Sequence, residues 1–192
     1  MRRSIRSKRL AAVAKTLNLA YQPKVKRAEL PSEKLPFDPG NMRIRLRHFF
    51  IISEAPLPFM VYDYTYVKRQ GSRRETVALF DLRQVGLPGF RLSEITWRER
   101  INRAMGIKVT LLAEREDFSS KYCLNGRRAE EIVALFEAEL LDYLSNSKGW
   151  SISVWQGKVS ICKGSGYLSR HHCKDFIAGA QEIAGMLARN QR

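Results

Sequence analysis

Four side chains towards the C-terminal end belong to types that bind metal ions. They are Cys162, His171, His172 and Cys173, and they fall within twelve residues. Zinc takes cysteine and histidine ligands in a tetrahedral arrangement, which would require a loop to fold back on Cys162. Adjacent histidines point to different sides of a regular element, and there is no C-x-x-C pair. The pattern therefore favours two buried thiols and a histidine pair near a helix start, with a metal-dependent enzyme as an alternative.

Cationic side chains, in contrast, are concentrated at the start of the chain. The first fifty residues contain thirteen Lys and Arg against three Asp and Glu, which is two thirds of the net charge of +15. Such a region gains binding free energy from anionic surfaces and from the counterions that they release. The predicted anion-binding residues lie on an opening helix, a connector, a strand and a hairpin tip: Arg2, Arg3, Arg6, Lys8, Arg9, Lys24, Lys26, Arg27, Arg43, Arg45, Arg47, Lys68, Arg69, Arg73 and Arg74.

Signatures of nucleophilic or acid–base catalysis are lacking in the sequence. Cys123 has no local motif that would mark a nucleophile. Asp63, which lies between tyrosines, is explained by the polar face of a strand. We therefore predict a non-enzymatic protein with no catalytic residue, no cofactor and no small-molecule substrate.

Three tyrosines alternate along one predicted strand. Tyr62, Tyr64 and Tyr66 share one face of that strand, while Asp63 and Thr65 lie on the other. Aromatic rings beside arginines would suit single-stranded RNA, whose bases stack on rings while cations hold the phosphates. A core-facing aromatic ladder packed under helices is the more common arrangement, and the sequence contains no RNA-binding consensus. RNA or ribonucleoprotein binding is thus an alternative function.

The first half of the chain has local patterns for a helix, a connector and three strands. Apolar residues at helical spacing predict an amphipathic basic helix, prolines predict an extended connector, and alternation predicts strands. Arg43 to Arg47 alternates basic and apolar residues, which places three guanidinium groups on one strand face as a cation ladder. The predicted elements are a helix over 4–19, a connector over 21–40, strands over 43–47, 59–67 and 75–82, and a basic hairpin tip over 68–74.

The second half of the chain has patterns that predict the element order ββαββα. Its predicted elements are strands over 107–112 and 119–124, a long helix over 128–144, a hairpin over 150–162 and a final helix striped with apolar residues from Phe176 to Leu187. Short connections favour an α+β fold with a mainly antiparallel sheet and helices on one side. We predict a basic amphipathic helix and extended connector over 1–40, a hairpin unit with a short helix over 41–106, and a ββαββα unit over 107–192 that packs with it as one domain.

The amino-acid composition indicates a folded protein and its cellular compartment. A chain of 192 residues with 44% hydrophobic residues can bury a core. Three cysteines in no small-scaffold pattern indicate reduced thiols and a cytoplasmic protein. The most apolar stretch, from Phe49 to Tyr62, contains Glu54 and two prolines and is too short to span a bilayer.

Several segments together resemble an uncharacterised bacterial α+β domain family that is often attached to transmembrane helices. The matching segments are those around 10–19, 61–66, 76–77, 87–92, 117–122 and 149–150. The resemblance implies a soluble module with no established activity, frequently held at the cytoplasmic face of a membrane. This chain departs from the family in its basic N-terminal arm, which stands where the anchor would be.

Taken together, these patterns predict a docking protein. We expect the basic arm, the cation ladder and the hairpin tip to attach the domain to an anionic partner, which is a membrane surface or a membrane-associated assembly. Nucleic acid is the alternative partner. The expected location is the cytoplasm, with a peripheral position at the inner face of a membrane.

Overall fold

The computed structural model describes residues 5–24, 43–53, 56–68, 71–105 and 110–191, with the backbone alone at 43–44, 67–68, 71 and 103. The described residues form eight strands and six α-helices. In chain order these are α1 (Ile5–Thr16), β1 (Ala20–Gln22), β2 (Arg43–Ile52), β3 (Phe59–Lys68), β4 (Gly71–Asp81), β5 (Phe90–Glu94), α2 (Trp97–Ala104), α3 (Glu116–Ser119), β6 (Tyr122–Gly126), α4 (Ala129–Leu135), α5 (Ala138–Ser145), β7 (Trp150–Trp155), β8 (Lys158–Lys163) and α6 (Cys173–Asn190).

The described strands form one antiparallel sheet in the order β1-β2-β3-β4-β8-β7-β5-β6. The α+β class predicted from the sequence is confirmed. Pairing of β4 with β8 makes the sheet continuous between its two ends. Strand β5 belongs to the predicted unit 41–106 but pairs with β6 and β7, so the strands of the two predicted units are interleaved.

One face of the sheet, which we call the helix face, carries the main core. Strand residues such as Phe80 and Ile152 pack there against Leu10 of α1, Leu140 of α5 and Ile183 of α6. The helical spacing of apolar residues in α6 places its stripe on this face, as the sequence predicts. Burial of this large apolar cluster is the principal stabilising contribution to the fold.

The opposite face, which we call the tyrosine face, carries a second and smaller cluster. Tyr62 and Tyr64 of β3 are buried there with Phe49, Val77 and Cys162. The prediction that the tyrosines belong to a core is confirmed for these two. The prediction that they pack under the helices is wrong, because Phe59 and Val61 occupy the helix face of the same strand and strand residues alternate.

The two predicted hairpins are present, as β3–β4 and β7–β8. The predicted connector begins with strand β1, which pairs with the end of β2, while residues 25–40 lie outside the described residues. The cation-ladder strand continues beyond Arg47 to Ile52 through a bulge. Apolar residues after the bulge pair with β1 and β3, which extends the strand.

The second half departs from the ββαββα prediction at two places. Residues 110–112 form a turn in which Thr110 and Leu111 hydrogen bond to the backbone of Leu124. Residues 107–109 lie outside the described residues. The predicted strand 119–124 begins at Tyr122, because residues 116–119 form α3. The predicted helix 128–144 is divided into α4 and α5 at Phe136, whose ring packs edge-on against Phe90 and Phe118.

Candidate anion-binding surface

A partly buried ion pair fixes α1 to the sheet. Nε of Arg6 lies 2.6 Å from Oδ2 of Asp63, and its Nη2 lies 2.8 Å from Oδ1. The Asp63 side chain is 3% exposed and that of Arg6 is 28% exposed. Burial acts to lower the pKa of Arg6, but the hydrogen bonds and the charge of Asp63 outweigh it and raise the pKa above its ordinary value. Arg6 was predicted to bind an anionic partner; here its charge is neutralised by Asp63 within the fold.

The same carboxylate belongs to a closed network. Oγ1 of Thr76 donates to Asp63 at 2.9 Å and accepts from the Leu168 amide at 3.0 Å. Nη1 of Arg6 donates to the Leu168 carbonyl at 3.0 Å. Four segments, α1, β3, β4 and the loop before α6, are thus held together by hydrogen bonds around one charge pair.

Tyr167 lies at the centre of the cationic residues. The Arg6 guanidinium stacks over its ring at 4.6 Å from the centroid, and that of Arg74 lies at 6.0 Å. Its hydroxyl hydrogen bonds to Thr65 of β3. The Tyr167 ring therefore connects α1 to Thr65 of β3, and both guanidinium contacts are of the cation–π type.

The cation ladder lies in register with this network. Arg45 is directly opposite Thr65, which is opposite Arg74 on β4, and Arg47 is opposite Asp63. Neighbouring strands are about 4.8 Å apart, so these side chains share one patch of the helix face. Arg45, Arg47 and Arg74 are exposed, whereas Arg6 is the member that is held within the fold.

A cleft of about 510 Å³ opens beside Tyr167, between α1 and the residues before α6. Arg9, Arg170 and His171 line it and are exposed. Ile5 also lines the cleft and is 72% exposed. We call Arg9, Arg45, Arg47, Arg74 and Arg170 the basic surface. It combines five guanidinium groups with an exposed apolar side chain beside them.

The remaining predicted anion-binding residues fall into three groups. Lys8 and Lys24 are exposed. Arg73 lies on the tyrosine face, 2.6 Å from Glu75, because adjacent strand residues alternate between faces; the hairpin tip is thereby divided between the two faces. Arg2, Arg3, Lys26, Arg27 and Arg69 lie outside the described residues, as do the side chains of Arg43 and Lys68.

The structure separates the arginines from the tyrosines. Arg45 and Arg47 occupy the helix face, whereas Tyr62 and Tyr64 are buried on the other. Burial raises the pKa of Tyr62 well above its ordinary value. The arrangement in which bases stack on these tyrosines while the ladder holds the phosphates is therefore wrong.

The candidate metal ligands are also kept apart. Cys162 lies in the cluster on the tyrosine face, Cys173 lies in the core on the helix face, and both histidines are exposed. Within the described ranges, no three Cys, His, Asp or Glu side chains are close enough to hold a metal ion. The residues proposed for a metal-dependent enzyme do not form a site.

Sequence reasoning missed Tyr167 and Arg170. Tyr167 meets Arg6 across a separation of about 160 residues, and no local pattern marks such a contact. A basic residue just before the apolar stripe of α6 was the available signal for Arg170. Only the folded chain brings both residues to α1.

Comparison with known proteins gives no match: neither a family model, nor a curated protein, nor a solved structure is similar to this chain. Among the described helices, none has the length and apolar character needed to cross a membrane.

Proposed function

We propose that this protein is a docking domain that attaches to an anionic membrane surface, or to an assembly at such a surface, through the basic surface. The observation that carries the proposal is the set of exposed guanidinium groups on the strands, on α1 and on the residues before α6, which are the segments that meet at Tyr167. The Arg6–Asp63 pair supports it, because it holds α1 and therefore Arg9 in place against the strands that carry Arg45, Arg47 and Arg74.

The electrostatic free energy of the five arginines near anionic lipid is sufficient for reversible attachment. Each Lys or Arg close to anionic lipid contributes about 1 kcal/mol, so the five arginines contribute about 5 kcal/mol at low salt. Ile5 adds an exposed apolar side chain beside the cleft. A cationic patch with an adjacent apolar residue suits the interface between lipid headgroups and acyl chains.

Insertion of the apolar face of α1 into lipid does not belong to this proposal. Leu10 and Ala14 are buried in the main core, and Val13 packs against it. Attachment therefore depends on charge, and raising the salt concentration weakens it because exposed charges are screened.

Co-sedimentation with vesicles tests the proposal. We expect the protein to bind vesicles of phosphatidylcholine mixed with phosphatidylglycerol at low salt, and not vesicles of phosphatidylcholine alone. The double variant Arg45→Glu/Arg47→Glu should lose at least about tenfold in affinity. The matched control is Arg98→Glu/Arg100→Glu on α2, which changes the net charge equally at two exposed arginines outside the basic surface.

Two results would contradict the proposal. Equal losses in the two double variants would mean that net charge alone, and not this surface, attracts the protein to lipid. Absence of binding to the anionic vesicles at low salt would exclude direct attachment to a membrane.

A further inference from the structure

A second cleft lies at the other end of the sheet, on the tyrosine face, and contains an exposed tryptophan. It has a volume of about 670 Å³, within the range of small-ligand sites. Trp155, at the end of β7, lines it and is 55% exposed. Three arginines, Arg91, Arg127 and Arg128, line the same cleft, and no carboxylate is among its described lining residues.

The sheet register explains the shape of this cleft. Arg91 of β5 lies between Ser153 of β7 and Asn125 of β6, opposite both. Gly89, Trp155 and Arg127 each lie two positions from one of these paired residues, and all three line the cleft. A glycine at that point leaves the floor open between an indole ring and a guanidinium group, and the nearest atom to an added Cβ would be the Val154 carbonyl oxygen at 3.5 Å.

The spacing suits a flat aromatic ligand. Strand β5 lies between β7 and β6, so two strand intervals of about 4.8 Å separate the strand that carries Trp155 from the strand that precedes Arg127. A planar ring that stacks on the Trp155 indole needs about 3.5 Å for that contact, which leaves the arginine side of the cleft for a charged substituent of the ring. Nucleobases stack both on aromatic side chains and on guanidinium planes.

The arginines of the cleft indicate which substituent the aromatic ligand carries. Arg127 has no ion-pair or hydrogen-bond partner within the part of the chain that the structure describes, and it is exposed. Arg128 forms an exposed ion pair with Glu131 at 2.9 Å. Exposed guanidinium groups next to a stacking ring complement a phosphate next to a base.

We propose that this cleft binds a nucleotide, with its base against Trp155 and its phosphate at Arg127 and the neighbouring arginines. The ligand is a free nucleotide or one residue of a single-stranded nucleic acid, since both present the same base and phosphate. The inference does not depend on membrane docking, because it uses different residues on the opposite face of the sheet.

Titration calorimetry of the full chain tests this site with AMP, ribose 5-phosphate and a short single-stranded oligonucleotide. Because AMP carries few charges, its attraction to the basic N-terminal region contributes little to the measured affinity. We expect AMP to bind about tenfold more tightly than ribose 5-phosphate, which lacks the base. An oligonucleotide that binds more tightly than AMP, and that loses affinity in Trp155→Ala by the same factor as AMP does, identifies single-stranded nucleic acid as the source, whereas oligonucleotide binding that is unchanged in Trp155→Ala identifies the free nucleotide.

The variants assign the binding to the cleft. Trp155→Ala should weaken AMP binding about tenfold, Trp155→Phe should retain most of it, and Arg127→Ala should weaken it several-fold. Trp97→Ala is the matched control, because Trp97 is also exposed, at 67%, but lies on α2. Thermal melting checks that each variant folds.

Equal affinities for AMP and ribose 5-phosphate, or an unchanged affinity in Trp155→Ala, would overturn the inference. The variant Arg45→Glu/Arg47→Glu keeps the two proposals distinguishable. It should lose vesicle binding and retain AMP binding, so that failure of either function is seen separately.

Discussion

Asp63 is the residue on which the arrangement of the basic surface depends most. Its carboxylate is almost fully buried, yet it accepts hydrogen bonds from Arg6 and Thr76. A buried charge is tolerated only when it is paired and hydrogen bonded. Removing Arg6 therefore leaves a charge that neither solvent nor the remaining hydroxyl can satisfy.

We expect Arg6→Ala to lower the free energy of unfolding by about 3 kcal/mol, the lower end of the cost of breaking a buried pair, since Arg6 is partly exposed. Asp63→Ala should cost less, because the freed guanidinium can turn towards water. Arg9→Ala on the same helix is the control and should change stability by less than about 0.5 kcal/mol. Urea unfolding measures all three, and an equal effect of Arg6→Ala and Arg9→Ala would show that the pair does not stabilise the fold.

His48 gives the protein a dependence on pH. The residue is buried, and its Nδ1 lies 2.8 Å from the Tyr21 hydroxyl. Burial lowers the pKa of His48 below the ordinary value of 6.5. In the unfolded chain the imidazole takes up a proton at higher pH than in the folded protein, so falling pH favours unfolding.

We therefore expect the contribution of His48 to stability to be present above about pH 6.5 and to be lost as the pH falls towards its folded-state pKa. The urea midpoint of each protein is measured from pH 8 to pH 5 and expressed relative to its own value at about pH 8. This relative midpoint should decline less steeply in His48→Gln than in the original protein. Parallel curves for the two proteins would mean that His48 does not contribute to the acid sensitivity.

At the scale of elements, Gly179 of α6 leaves no room for a side chain against its neighbours. A Cβ added at Gly179 would lie 2.7 Å from Oη of Tyr143 and 2.8 Å from the Trp150 ring. At Gly185 in the same helix, the nearest atom to an added Cβ is the Arg189 Nη1 at 3.6 Å, the end of a flexible side chain. The two positions share the helix but differ in the space available.

Gly179→Ala should therefore destabilise the protein by about 1–3 kcal/mol, because the tryptophan ring or the helix has to move. Gly185→Ala should stabilise it by up to about 1 kcal/mol, through the higher helix propensity of alanine. Thermal unfolding of both variants is the measurement. Stabilisation by both substitutions would show that α6 does not approach Trp150 as closely as the structure has it.

Elements with local signals were predictable from the sequence, and elements set by distant contacts were not. The β7–β8 hairpin follows from alternation around a turn that contains Gly157, and α6 follows from its apolar stripe. The break at Phe136 could not be seen, because the ring that packs on Phe90 and Phe118 fits a helical pattern equally well. Tertiary packing overrides local propensity at that point.

The candidate sites follow the same rule. Alternation in residues 43–47 correctly predicted that Arg45 and Arg47 share a strand face. Which face they share depends on the pairing of Arg47 with Asp63, and the role of Arg6 depends on a partner 57 residues away. The Trp155 cleft arises where three strands, β5, β6 and β7, pair although more than twenty residues separate each from the next in sequence.

At the scale of the whole molecule, the two proposed binding surfaces lie on opposite faces of one sheet. The basic surface occupies the helix face at β2 to β4, and the cleft of Trp155 occupies the tyrosine face at β5 to β7. Their residues share no contact among those described, and β8 lies between the two groups of strands. A membrane that covers the basic surface therefore leaves the cleft open to solvent.

We expect protein bound to anionic vesicles to bind AMP with the affinity of the free protein, within about twofold, as distant and independent sites do. Equilibrium dialysis of AMP against protein with and without phosphatidylglycerol vesicles, at equal salt, makes the comparison. Arg45→Glu/Arg47→Glu is the control, because it should remain unbound and show no effect of the vesicles. Strong inhibition of AMP binding by vesicles in the original protein alone would mean that the membrane covers the tyrosine face, and the orientation proposed for the docked domain would then be wrong.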